Sequence, residues 1–228
     1  MTISKTGNSR KVPDVETLQK DPAYRKIQEL EFSEMIPFVL SNIRRGGVIP
    51  LLYMGINVIV LIFILLYSVW GVKTGVLTAG KIIWQLLAGI LAGSILVIVP
   101  HELLHGLAYR VLGAPGIKFG ADFQQFIFYV TADRFPITKG QLAFLAMTPF
   151  VFINLLVILF TIWWATPYVL FSASLLFCHN IMCIGDFAIL NYSCSHKGRL
   201  YTYDDTEKKV SYFFERTDFE GRDTDLQV

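Results

Sequence analysis

The sequence predicts an all-α membrane protein of about four transmembrane helices, with a small surface β segment between the second and third. Three observations predict it. The 228 residues are 54% hydrophobic and 14% aromatic, with a mean hydropathy of +0.51, a composition that soluble domains rarely reach. The apolar residues fall into long runs separated by polar segments. Acidic residues nearly vanish from those runs: between Glu34 and Asp122 only Glu102 occurs, and between Asp133 and Asp204 only Asp186.

Residues 1–47 read as a polar, basic cytosolic leader, with a helix expected from Asp14 through Glu34. No apolar stretch of signal-peptide type precedes Met35, so the first apolar helix is expected to act as an uncleaved insertion signal. Val48 to Trp70 carries no charge and is long enough to cross a hydrocarbon core of roughly 30 Å at about 1.5 Å per residue. A second run extends from Ile82 to about Leu112. It holds Gly89 and Gly93, a G-x-x-x-G pair that permits close helix contact, and Pro100, which frees the carbonyl of Leu96 and predicts a kink there. Phe126 to Thr131 is aromatic and branched, hence strand-prone, and is expected at the membrane surface as a possible docking edge for an extended peptide.

Leu142 to Trp164 makes a third span and Pro167 to about Leu190 a fourth, with Trp163, Trp164 and Tyr168 as an interfacial belt between them. The domain division that follows is a leader over 1–47, a membrane domain over 48–194 and a cytosolic tail over 195–228, with a hairpin expected from Leu200 to Arg216 around Asp204 to Glu207. Of the 20 Lys and Arg residues, only Lys73 and Lys81 fall in the loops opposite the termini, so the positive-inside rule places both termini in the cytosol of a multi-pass cell-membrane protein. The net charge of +2 gives no basis for nucleic-acid binding. Cys178, Cys183 and Cys194 are an odd set lying partly in an apolar run, which argues against a disulfide framework.

Chemistry concentrates at His101-Glu102-Leu103-Leu104-His105. In H-E-x-x-H two histidines one helical turn apart offer ring nitrogens to a single zinc ion, and the glutamate between them serves as general base to a water. Glutamate and two histidines inside a membrane span cost a few kcal/mol each and persist mainly where they pair, bind or react. A catalytic zinc takes three protein ligands and keeps one position open. The candidates for the third are Asp186 and His179, with the cytosolic His196 and Asp204 behind them. Measured along straight helices, Asp186 lies level with the motif, whereas His179 falls roughly 10 Å too shallow. His179 lies seven residues from Asp186 on the same helix face and is expected to support the site from behind its ligands or face a substrate channel.

The membrane-embedded H-E-L-L-H helix, the following strand segment and the later span bearing His179-Asn180 and Gly185-Asp186 together resemble a bacterial family of zincin membrane peptidases of unknown function. More distantly they resemble the site-2 class of intramembrane zinc proteases. The site-2 resemblance implies His101, His105 and Asp186 as zinc ligands and Glu102 as the base. The Gly185-Asp186-Phe187 order departs from the Asp-Gly order usual in that class. The expected function is hydrolysis of peptide bonds in membrane or juxtamembrane proteins with one Zn2+ as cofactor. Two other readings compete with it, a non-catalytic zinc-binding scaffold or regulator and a metal-ion transporter.

Overall fold

A computed structural model describes residues 12–122 and 127–217. Eight α-helices and six strands are placed among them: α1 (Val15–Lys20), β1 (Tyr24–Glu31), α2 (Met35–Arg44), α3 (Val48–Lys73), α4 (Ala79–Leu91), α5 (Ile98–Val111), β2 (Lys118–Asp122), β3 (Ile127–Thr131), β4 (Ile137–Thr138), α6 (Lys139–Trp163), α7 (Val169–Met182), α8 (Ile184–Ser195), β5 (Leu200–Asp205) and β6 (Val210–Arg216). The chain is mostly helical. Three stretches, Val48–Lys73, Ala79–Leu96 and Lys139–Trp163, are long and apolar enough to cross a membrane, and the bent pair α7–α8 makes a fourth if it counts as one span.

Neither the second nor the fourth predicted span is a straight rod. Between α4 and α5 the backbone passes through a π-helical turn, Ala92–Leu96, closed by Val97 N–H donating to the Ala92 carbonyl. The break thus lies one to two turns before Pro100, whose missing N–H the sequence had marked as the kink. A π turn inserts one extra residue and rotates everything after it, so it re-aims the face carrying His101. The α7–α8 pair bends by 46° across Cys183.

The glycine pair does bring helices together. A Cβ on Gly93 would lie 2.6 Å from the Leu175 carbonyl oxygen, and one on Gly89 would collide with Ser174 and Phe171. Only hydrogen at these positions lets α4 and its π turn lie against α7. Gln85 secures the same contact by donating to the Pro167 carbonyl and accepting from Phe171 N–H at the uncapped start of α7.

The leader is not the continuous helix expected over 14–34. Its centre is strand β1, which pairs antiparallel with β6 in a sheet of order β1-β6-β5-β4. The helix-forming side chains Glu29, Lys26 and Gln28 lose to tertiary pairing, since β6 offers a full-length edge and local propensity is worth only a few tenths of a kcal/mol per residue. The expected hairpin forms as β5–β6. Alternation along β6 sends Phe213 toward the helices, beside Tyr192 of α8 and Phe38 of α2, and Tyr212 and Phe214 toward Leu18 of α1. The leader and tail therefore join with the short β4 in one sheet, covered by α1 on one face and seated on the ends of α5, α6 and α8 on the other. Asn191 of α8 fastens the leader by donating to the carbonyls of Asn42 and Gly46. The segment after α5 forms the hairpin β2–β3, while Phe126, at the start of the strand-prone run, lies outside the described residues.

Candidate metal centre

The π turn, the tight α4–α7 contact and the bend at Cys183 converge on one locus. His101, Glu102 and His105 project from α5, and Asp186 enters from the first turn of α8. His101 Nε2 lies 3.4 Å from Asp186 Oδ2, and His105 Nε2 lies 3.3 Å from Asp186 Oδ1. These separations are long for charge-assisted hydrogen bonds, which run about 2.7–2.9 Å. They match the edge of a tetrahedron with metal–ligand bonds of about 2.0–2.1 Å, which is about 3.3–3.4 Å.

The second ring nitrogens test whether a cation fits. His105 Nδ1 lies 3.1 Å from the Leu145 carbonyl oxygen in α6. A carbonyl only accepts, so Nδ1 carries the proton and a neutral His105 has a bare lone pair on Nε2. That lone pair points at a carboxylate oxygen. A second proton or a metal ion must lie between them to remove the repulsion, and a site of two imidazoles and one carboxylate within 4.8 Å of one another has the donor chemistry of a three-ligand zinc centre.

Leu145 has a carbonyl to give because position 149, four residues on, is proline. Pro149 has no N–H to close the helical bond that would otherwise occupy that oxygen. This partner escaped the sequence reading. The signal was present, as a proline in the middle of a 25-residue apolar helix that leaves one carbonyl unpaired one turn earlier.

His179 is placed differently from the straight-helix expectation. It is fully buried at the end of α7, and its Nε2 lies 3.3 Å from Nδ1 of His101. His179 and Asp186 are seven residues apart, about 10 Å along an unbroken helix, yet they meet opposite nitrogens of the same imidazole. The 46° bend between them folds the α7–α8 pair around His101, so the straight-helix estimate, which set Asp186 beside the motif, left His179 roughly 10 Å too shallow. Cys183, at the bend, brings Sγ to 3.6 Å from His179 Nε2.

Glu102 is half-buried on the same helix and accepts from the Val130 backbone N–H of β3, which ties the hairpin to the motif. Neither remaining ligand candidate reaches the centre. His196 caps α8, with Nδ1 2.9 Å from the Tyr192 carbonyl. Asp204 accepts from Thr131 and Ser211 hydroxyls at 2.5 and 2.6 Å.

Residues 94–201 match a family model described as "putative zincin peptidase". This segment contains α5, β2, β3, α6, α7 and α8, and so every residue of the centre. No curated protein matches the chain, and no solved structure does.

Proposed function

We propose, on the premise that residues 94–201 belong to a zincin peptidase family of unknown function, that this protein is a membrane-embedded zinc metallopeptidase. It hydrolyses peptide bonds of membrane or juxtamembrane proteins. The observation that carries the reading is the convergence of His101, His105 and Asp186 with a lone pair of His105 directed at the carboxylate. In this reading those three residues hold one zinc ion, α7–α8 counts as the fourth span, and both termini lie in the cytosol with the sheet they form.

A zinc ion held there supplies the positive charge that lowers the pKa of water toward neutrality and polarises the scissile carbonyl. The remaining work falls to the chain. Glu102, adjacent to His101 on the same helix, accepts the proton of the attacking water and delivers it to the leaving amine nitrogen. The Val130 N–H holds one Glu102 oxygen toward β3. The apolar walls of α5 and α6 keep bulk water out, which strengthens each electrostatic contact within.

Glu102→Gln tests the function. The carboxamide keeps the shape and the zinc but takes up no proton, so cleavage should fall by a factor of about 100 or more with zinc content unchanged. Membrane proteomes from cells carrying the wild type and Glu102→Gln should differ in fragments that require Glu102. Identical fragment sets would sink the protease reading, and altered zinc flux without fragments would establish the transporter in its place.

A further inference from the structure

Each histidine of the motif has two ring nitrogens, and only one can face the centre. We propose that Pro149 and His179 are positioning residues that hold both imidazoles with the proton on Nδ1, so that both Nε2 lone pairs point at the space beside Asp186. The inference rests on the zinc reading and deepens it, since it names what prepares the ligands before any ion arrives.

The two devices differ in kind. For His105 the acceptor is backbone: Leu145 C=O, 3.1 Å from Nδ1, kept available because residue 149 brings no N–H. For His101 the acceptor is His179 Nε2, 3.3 Å away, with both rings buried, at 5% and 0% exposure. That pair alone leaves the direction of donation open. Asp186 decides it, because a ligand Nε2 must be bare and His101 Nδ1 must then donate. His179 consequently carries its own proton on Nδ1, which finds no hydrogen-bond partner among the described residues. An acceptor that leaves a buried N–H unpaired costs stability, so its presence at this position is better explained by what it does for His101.

The grouping of His101, His179 and Cys183 as a second metal site is the competing account of the same atoms. It requires His101 to lose both ring protons if the first site is also filled, within an enclosure where His179 and Cys183 are both fully buried. Hydrogen bonding needs no such step.

The test is zinc affinity of the full-length protein in detergent, read by competition with a chelator, together with thermal unfolding of the metal-free form. Pro149→Ala gives α6 the missing N–H, which competes for the Leu145 carbonyl. Zinc affinity should fall about 10-fold or more, while the metal-free protein becomes no less stable, because Ala is the better helix former. A merely structural proline would move the two readouts together. His179→Leu should weaken zinc by about 10- to 100-fold, and His179→Gln, whose amide oxygen still accepts, should recover most of that loss. If both Pro149→Ala and His179→Leu bind zinc within about twofold of wild type, the inference is wrong although the metallopeptidase stands. Two zinc ions per wild-type chain, falling to one in His179→Leu, would instead establish the second metal site. A wild-type protein that binds no zinc would remove the functional reading itself.

Discussion

Asp186 and Asp204 are two largely enclosed aspartates in one small protein, and their surroundings are opposite. Asp204 lies between the hairpin β5–β6 and strand β3, where Thr131 and Ser211 donate hydroxyl protons at 2.5 and 2.6 Å and Tyr109 adds a third hydroxyl. All three hydroxyls donate to the carboxylate. Asp186 faces two imidazole nitrogens at 3.3–3.4 Å, and one of these is a lone pair rather than a proton. A carboxylate whose oxygens are filled by hydroxyls is a structural clamp. One that faces ring nitrogens at ligand spacing, one of them a lone pair, has the donor set a cation would use. Burial of an acid is thus uninformative by itself, and the identity and reach of its partners separate the two roles.

Truncating both residues breaks the comparison most directly. Asp186→Ala should lower zinc affinity by about 100-fold or more, beyond the 10–100-fold that outer partners of a metal site contribute, whereas Asp204→Ala should leave it within about twofold. Equal zinc affinity in wild type and Asp186→Ala would end the assignment of Asp186 as third ligand. Stability should respond in the reverse order. Asp204→Ala strands three hydroxyls and should destabilise by about 1–3 kcal/mol, a fall of several degrees in thermal unfolding for a chain of this size. In the metal-free protein Asp186→Ala removes only two long contacts to ring nitrogens and should cost less. Should Asp186→Ala prove the more destabilising of the two without metal, the clamp and the cation site have been exchanged.

The same contrast explains what the sequence discloses and what it withholds. The zinc motif, the isolated Asp186, the glycine pair and the β5–β6 hairpin are local signals, each carried by spacing or by residues that are costly in lipid. Three other features depend on chain segments far apart in sequence. Strand β1 looks helical until β6 offers it an edge. His179 looks too shallow until α7–α8 bends. The Leu145 carbonyl has no meaning until His105 arrives from α5, although Pro149 marks it in advance. Hydrophobic periodicity locates spans but is blind to a π turn or a mid-span bend, because inserting one residue or turning 46° leaves the apolar composition unchanged. The candidate site depends on both distortions, so its residues were easier to name than their arrangement was to foresee.

The finest test sets Asp204 against its neighbour Asp133, whose exposure is greater. Asp133 accepts from the Thr206 hydroxyl and backbone N–H and pairs with Lys118. These donors, Thr206 first, hold its pKa down at about 2, below the ordinary 3.8. Enclosure pushes Asp204 the other way, above 3.8, against the pull of its hydroxyl donors. The signs of the pH dependence follow. A depressed folded pKa means that the stability Asp133 contributes is present above about 3.8 and is lost as pH falls through about 2. A raised folded pKa means that the folded state holds the Asp204 proton more tightly, so its contribution is largest below 3.8 and fades as pH rises through the folded value. Each acid can be compared with an asparagine that does not titrate. The stability gap between wild type and Asp133→Asn should therefore shrink on acidification from pH 5 toward pH 2, whereas the gap for Asp204→Asn should widen. Thermal unfolding of the metal-free variants across that range supplies the slopes. Slopes of the same sign would mean that the hydroxyls around Asp204 outweigh its enclosure, making it an ordinary stabilised carboxylate. Asp186 would then differ from it only in its partners, two ring nitrogens at 3.3–3.4 Å in place of hydroxyl donors.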